Sequence, residues 1–142
     1  MGHKYSLEKV EIFKLEGIII ENIVKEGAEL QTDDVRKIKE INLSLCDNKN
    51  YALLIDAKKE STITDDARAL LASKELAHLN IAKAIIIHTN KQKILGNIYL
   101  TVNKPHVKTR LFTDRQKALE WLRNKISAFE AKELLSNRKK NK

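Results

Sequence analysis

Residues 51–56 and 81–88 are two strand-length runs that are apolar almost throughout. That pattern belongs to strands buried on both faces of a sheet. Between them, Thr64-Asp65-Asp66 marks a helix start. Threonine caps a helix N-terminus well, and aspartates in the first turn complement the helix dipole. Ala67, Leu70, Leu71 and Leu76 then supply an inner face. Two buried strands joined through a helix make a parallel crossover, which is right-handed and needs helices packed on the sheet. This feature constrains the chain to an α/β fold.

The flanking segments extend that unit in both directions. Residues 7–14 alternate, with Val10 and Ile12 on one side and charges on the other, as a half-buried strand does. Glu16-Gly17 makes a turn into a second strand over 18–24, so the two form a hairpin. Thr32-Asp33-Asp34 opens a helix over 32–46, with Val35, Ile38, Ile41 and Leu45 at helical spacing. Asn90 caps a third helix over 90–103, and Asn103-Lys104-Pro105 ends it because proline cannot continue a helix. Residues 107–112 read as an edge strand, with Lys108 and Arg110 turned away from the apolar side. Thr113 and Gln116 form a capping box for a long helix over 114–135, which carries Ala118, Trp121, Leu122, Ile126 and Phe129. The sequence thus predicts a mixed five-stranded sheet with about four helices, in a single domain over 1–142. The basic stretch from about 136 to 142 reads as a frayed tail.

Hydrophobic residues make up 42% of the chain, enough for one packed core. No apolar run approaches the length needed to span a bilayer. No apolar stretch follows the basic N-terminal residues, so a secretory leader is not expected. Cys46 has no partner for an intramolecular disulfide and reads as a small core residue, which suits a reducing cytoplasm. The net charge of +8 invites a nucleic-acid reading. Half of that excess sits at the C-terminus, where Lys132, Arg138, Lys139, Lys140 and Lys142 face only Glu133. The chain also lacks the interleaved aromatics that stack on single strands. Nucleic-acid binding is therefore set aside.

Several segments resemble the STAS fold of bacterial anti-sigma factor antagonists, the SpoIIAA-like proteins. They are Leu53-Leu54-Ile55-Asp56, Thr64-x-x-Ala67-Arg68, Gly96-Asn97-x-Tyr99, Asn103-Lys104-Pro105, Leu111-Phe112-Thr113-Asp114 and Ala118-Leu119-Glu120-Trp121-Leu122. The likeness covers residues 51–122 and extends to an uncharacterised bacterial STAS-like family. Through that fold it extends more distantly to the CRAL-TRIO lipid-transfer domains. It implies a STAS-like architecture and a non-catalytic binding or regulatory module that acts through protein contacts. The CRAL-TRIO likeness implies an alternative, a carrier of a small apolar or lipid-like ligand. In phosphorylation-switched antagonists an Asp-Ser-Ser/Gly type motif opens the helix after the central strand. Here that stretch holds Ser61, Thr62 and Thr64 without the motif. Thr64 is therefore expected to be a structural cap and not a phospho-switch.

No catalytic triad, phosphate loop or metal signature stands out. His3, His78, His88 and His106 lack zinc-ligand spacing, and no cofactor is expected. Gly96, inside the third helix, calls for a close backbone approach to another element or to a ligand, with helix–sheet packing preferred. Asn97 beside it is a candidate ligand contact. Lys91, Lys93, Lys104, Lys108 and Arg110 come from neighbouring segments and are a candidate anion-binding patch, set against a solvated edge. Phe129, Leu134 and Leu135 continue the apolar signal of the last helix beyond the domain, which predicts a two-fold homodimer.

Overall fold

The computed structural model describes residues 4–140; His3 and Lys142 lie outside the described residues. An edge strand, β1 (Lys4–Ser6), precedes the hairpin of β2 (Val10–Glu16) and β3 (Ile19–Val24). Gly17, at φ +49°, supplies the left-handed backbone at that turn. A two-residue strand, β4 (Glu29–Leu30), leads into helix α1 (Thr32–Leu45). Then come β5 (Tyr51–Ala57), the short β6 (Thr62–Ile63) and helices α2 (Asp65–Leu71) and α3 (Lys74–Ala77). Strand β7 (Asn80–Ile86) is followed by helix α4 (Asn90–Ile98), which runs into a π-helical turn (Tyr99–Asn103). Strand β8 (Thr109–Phe112) and helix α5 (Arg115–Lys140) complete the order.

The main sheet is mixed, with strands in the order β1-β2-β3-β5-β7-β8. The β1–β2 and β2–β3 pairs are antiparallel, and β3, β5, β7 and β8 are parallel. Five strands were expected; the sixth is β1, too short and too exposed to show an apolar period. β4 and β6 pair separately as a small parallel ribbon.

The sheet has two different faces. One carries Ile20, Leu53 and Tyr51 against α1, in a core that includes Ile38 and Ile41. The other carries Ile19, Leu54, Ala84 and Ile86 against Ala118, Leu119 and Leu122 of α5. The last helix is thus the cover for the face that the other helices leave open. The small residues Ala52, Ala82 and Ala84 let it approach closely.

The expected starts of three helices move by one residue. Gln31, not Thr32, occupies the cap of α1, and its N–H donates to Asp34 Oδ2 at 2.8 Å. Thr89, not Asn90, caps α4, its Oγ1 accepting from Gln92 N at 3.1 Å. At α5 the expected Thr113 box is absent, and Asp114 Oδ1 accepts from the N–H groups of Gln116 and Lys117. At α4 and α5 a neighbouring polar side chain is the one that reaches the free N–H groups. The helix expected over 64–77 breaks at Ala72 and restarts at Ser73, whose Oγ accepts from Leu76 N. The third helix ends in the π-turn where a regular helix to 103 was expected. Helix α5 runs on through Lys140, past the point where a frayed tail was expected.

Thr64 does cap α2, its Oγ1 accepting from Ala67 N at 3.2 Å. Thr64→Ala should lower stability by about 1 kcal/mol. Urea unfolding measures this, and an unchanged midpoint would refute the cap's contribution. Cys46 is buried at the end of α1, as expected, its thiol directed at the carbonyls of Leu43 and Lys49.

Candidate functional site

Between the sheet and helices α1 to α4 lies a cavity of about 130 Å³. Its walls are largely aliphatic, with Val35, Ile38, Leu53, Leu71, Ile85 and Leu95 among them. Polar side chains enter it from several elements. β3 and α1 contribute Asn22 and Asn42, whose amides pair reciprocally at 2.8 and 3.3 Å. α1 also contributes Lys39, and β7 contributes Asn80 and Lys83.

The two lysines are the unusual feature, because buried ammonium groups are costly without anionic partners. Lys83 is 1% exposed, in the middle of a central strand. Its Nζ donates to Tyr99 Oη at 2.6 Å and, at 3.4 Å, to the Leu71 carbonyl. The π-turn begins at Tyr99, whose hydroxyl also donates to Leu71 O at 3.2 Å. Lys39 donates to Tyr51 Oη at 2.7 Å, to Leu76 O at 2.9 Å and to the His78 carbonyl. Every one of these acceptors is a neutral dipole. Burial accordingly pulls Lys83 down to about 7, and the Lys39 charge adds to the shift. Burial pulls Lys39 down to about 8, partly offset by Cys46 nearby. The phenols of Tyr51 and Tyr99 are pushed above their ordinary value by burial.

Asn80 completes the group. Both its amide nitrogen and its amide oxygen are buried without a hydrogen-bond partner. A register shift between β5 and β7 sets Tyr51 opposite Asn80 and Leu53 opposite Lys83. β7 thus spends one residue more than β5 over that step. The extra residue is a bulge that brings Asn80 and Lys83 onto the same sheet face.

The predicted site residues fall in several places. Gly96 lines the cavity, but its close approach is to Leu111 of β8, whose Cδ1 would lie 2.7 Å from an added Cβ. Helix–sheet packing is therefore what the glycine permits. Asn97 is exposed, and its carbonyl accepts from Thr101 Oγ1. The residues of the candidate basic patch are divided between the two faces of the sheet. Lys91 and Lys93 lie on α4, on the cavity side of the sheet, and Lys104 is exposed at the end of the π-turn. Arg110 lies over the Phe112 ring on the α5 side, and Lys108 and Arg110 both hold Lys125 below its ordinary value. Side-chain alternation along β8 is the reason: Leu111 faces α4, so Arg110 and Phe112 face α5.

Ser61 is buried, with its Oγ accepting from Gln92 Nε2 at 3.3 Å. The same Gln92 amide bonds Ala57 O and Lys58 O, and its Oε1 accepts from His88 N. Thr62 and Thr64 are half-buried. Phe129 is half-buried, whereas Leu134 and Leu135 are 64% and 59% exposed on the far half of α5.

A second polar group sits at the carboxyl end of the parallel strands, on the α5 side. Asp56 bonds His88 Nε2 at 2.7 Å and Lys58 Nζ at 3.0 Å. Glu21, 1% exposed, takes both arms of the Arg115 guanidinium at 2.6 and 2.8 Å. Both carboxylates are occupied by their partners, so this group ties the end of the sheet together.

Lys39, Lys83 and Asn80 were missed at the sequence level. A signal existed: Lys83 interrupts the apolar run of 81–88, and Lys39 adjoins Ile38 on the inner stripe of α1. A charge at a core position is the informative observation.

The structure is similar to that of an uncharacterised protein from the DUF3478 family, with a SpoIIAA-like fold, from Shewanella loihica PV-4. The TM-score is 0.51 at 14% identity, covering 86% of this chain and 92% of that one. The fold is therefore SpoIIAA-like, a mixed α/β fold. By sequence, residues 13–126 match the family described as a domain of unknown function (DUF7793), and the chain belongs to that family. No curated protein matches the sequence.

Proposed function

We propose that this protein is a non-catalytic STAS-type binding module that holds a small, largely apolar ligand in the cavity between its sheet and helices α1 to α4. One observation carries the reading. An apolar space of about 130 Å³ contains a buried, partnerless amide and two buried ammonium groups. Buried polar groups in native proteins are nearly always satisfied. A bound molecule would satisfy the Asn80 amide and the donor capacity that Lys83 retains.

Contact with another protein is a further part of the proposal, located at a different place. Leu134 and Leu135 stand exposed on a helix that extends past the sheet it covers. A second copy of the chain, packed two-fold along that helix, would bury them. None of the described helices is long and apolar enough to cross a membrane. The proposal puts the module in the cytoplasm.

Native mass spectrometry of protein purified from its own cells tests both parts. The expected spectrum is a dimer, with one small molecule retained per chain and released on denaturation. A mass equal to the bare polypeptide would overturn the ligand reading, and a monomer at tens of micromolar would overturn the dimer.

A further inference from the structure

We propose that the cavity ligand is a small amphipathic acid, a monocarboxylate whose apolar body is the size of one aromatic ring or a short alkyl chain. The inference rests on the cavity-binding reading and adds the charge and size of the guest.

Charge is the first argument. The cavity lining includes three cationic side chains, Lys39, Lys83 and Arg68, and no carboxylate. Arg68 already has partners of its own, Asp65 at 3.1 Å and Asn103 Oδ1 at 2.8 Å. Lys39 and Lys83 have only neutral partners. An anion entering this space meets two uncompensated positive groups in a medium that screens weakly.

Donor count is the second. An ammonium has three N–H groups. Those of Lys39 are matched by three acceptors, whereas Lys83 has one short bond, to Tyr99, and one long one, to Leu71. Lys83 therefore retains donor capacity, and the Asn80 amide retains all of its own. The bulge in β7 places both on the cavity face. This supply suits the two oxygens of a carboxylate. A phosphate, with more oxygens and up to two charges, is best matched by an arginine fork or a cluster of backbone N–H groups. The one arginine lining the cavity already turns its Nε and one Nη to Asn103 and Asp65.

Size is the third. A buried apolar cavity of about 150 Å³ holds one benzene molecule. The space here is about 130 Å³, so the part of the guest held inside it is a ring or a chain of a few carbons.

The test compares acids with neutral analogues of the same shape. Benzoate and benzyl alcohol, then hexanoate and hexanol, are titrated into the wild-type chain and into Lys83→Met. Amide chemical shifts of residues 80–87 and calorimetry report binding. In the wild type each acid should bind about ten- to a hundredfold tighter than its alcohol, the range of a charge-assisted hydrogen bond. Lys83→Met should remove most of that advantage, lowering acid affinity far more than alcohol affinity. Acids that bind the wild type no better than alcohols would overturn the acid proposal while leaving the cavity reading intact. That comparison needs no variant to fold. An acid affinity unchanged in Lys83→Met would also overturn it. If none of the four compounds binds, the cavity reading fails and the acid proposal with it.

Discussion

Between pH 7 and pH 10 the folded state should gain stability, on the order of 5 kcal/mol, and above pH 10 it should lose it again. The cause lies in two lysines whose ammonium form is disfavoured by folding. Burial holds Lys83 at about 7 and Lys39 at about 8, whereas an unfolded chain keeps both near 10.5. Between those values the unfolded state binds more protons than the folded state, so stability rises with pH. Below about 7 both states carry the charges and the penalty is present in full. Above 10.5 both states are neutral and the penalty is gone. A tenfold change in a protonation equilibrium corresponds to about 1.4 kcal/mol. The two ammonium groups repel each other, so the expected gain is set below the simple sum of their separate contributions.

The tyrosines act in the opposite direction. Burial raises the phenols of Tyr51 and Tyr99, so they stay protonated in the fold while the unfolded chain ionises above pH 10. Stability therefore peaks close to pH 10. The groups facing the lysines are these tyrosines, Cys46 beside Lys39, and Arg68 across the cavity. The net charge of +8 also falls as pH rises, which relieves general repulsion. Lys83→Met separates the two effects. It keeps the unbranched stem, leaves the Tyr99 hydroxyl bonded to Leu71 O, and removes the buried charge. The variant should be more stable than wild type at pH 7, and its profile should be flatter. Urea midpoints at unit intervals from pH 6 to 11 measure both curves. A wild-type curve that is flat or falling from 7 to 9.5 would rule out the buried-ammonium account.

Arg115→Met should cost about 2–3 kcal/mol, more than any exposed charge substitution on the same helix. Glu21 is fully buried on β3, and its carboxylate receives both arms of the Arg115 guanidinium. Removing one partner of a buried pair leaves an uncompensated charge behind. The figure is set below the range for wholly buried pairs because the Arg115 side chain is 42% exposed to solvent. The pair also joins the first residue of α5 to a central strand, so its loss should loosen the helix start. Adding Glu21→Leu should restore most of the stability, since both ends of the pair are then gone. By contrast, Arg123 and Glu16 form an equally short pair on the surface, and Arg123→Met should change little. Denaturant unfolding of wild type and these variants decides this. A loss for Arg115→Met no larger than for Arg123→Met would contradict it.

Local pattern carried the architecture. The apolar runs at 51–56 and 81–88 became β5 and β7, and the capping threonine at 64 does cap α2. The alternation over 107–112 became β8, an edge strand. These features have periods or caps that span a few residues, so they can be read without knowing what lies across the sheet. β1 could not be read this way. Its Lys4–Ser6 strand is exposed throughout and exists only because β2 offers it hydrogen-bond partners.

The candidate site depended on distant contacts. Lys39 and Lys83 stand 44 positions apart in the chain and meet one cavity only after the β5–β7 crossover is formed. The bulge that turns Asn80 to the same side arises from pairing with β5, and nothing in the residues 80–83 alone requires it. The candidate basic patch is divided between two faces for a related reason. Lys93 and Arg110 are close in topology, but the pleat sends Arg110 through to the α5 face. Residue type and spacing determine strands, helices and caps, because those are short-range hydrogen-bond and packing choices. Which buried charges share a space is decided by sheet order, register and face, quantities that exist only once the strands have paired.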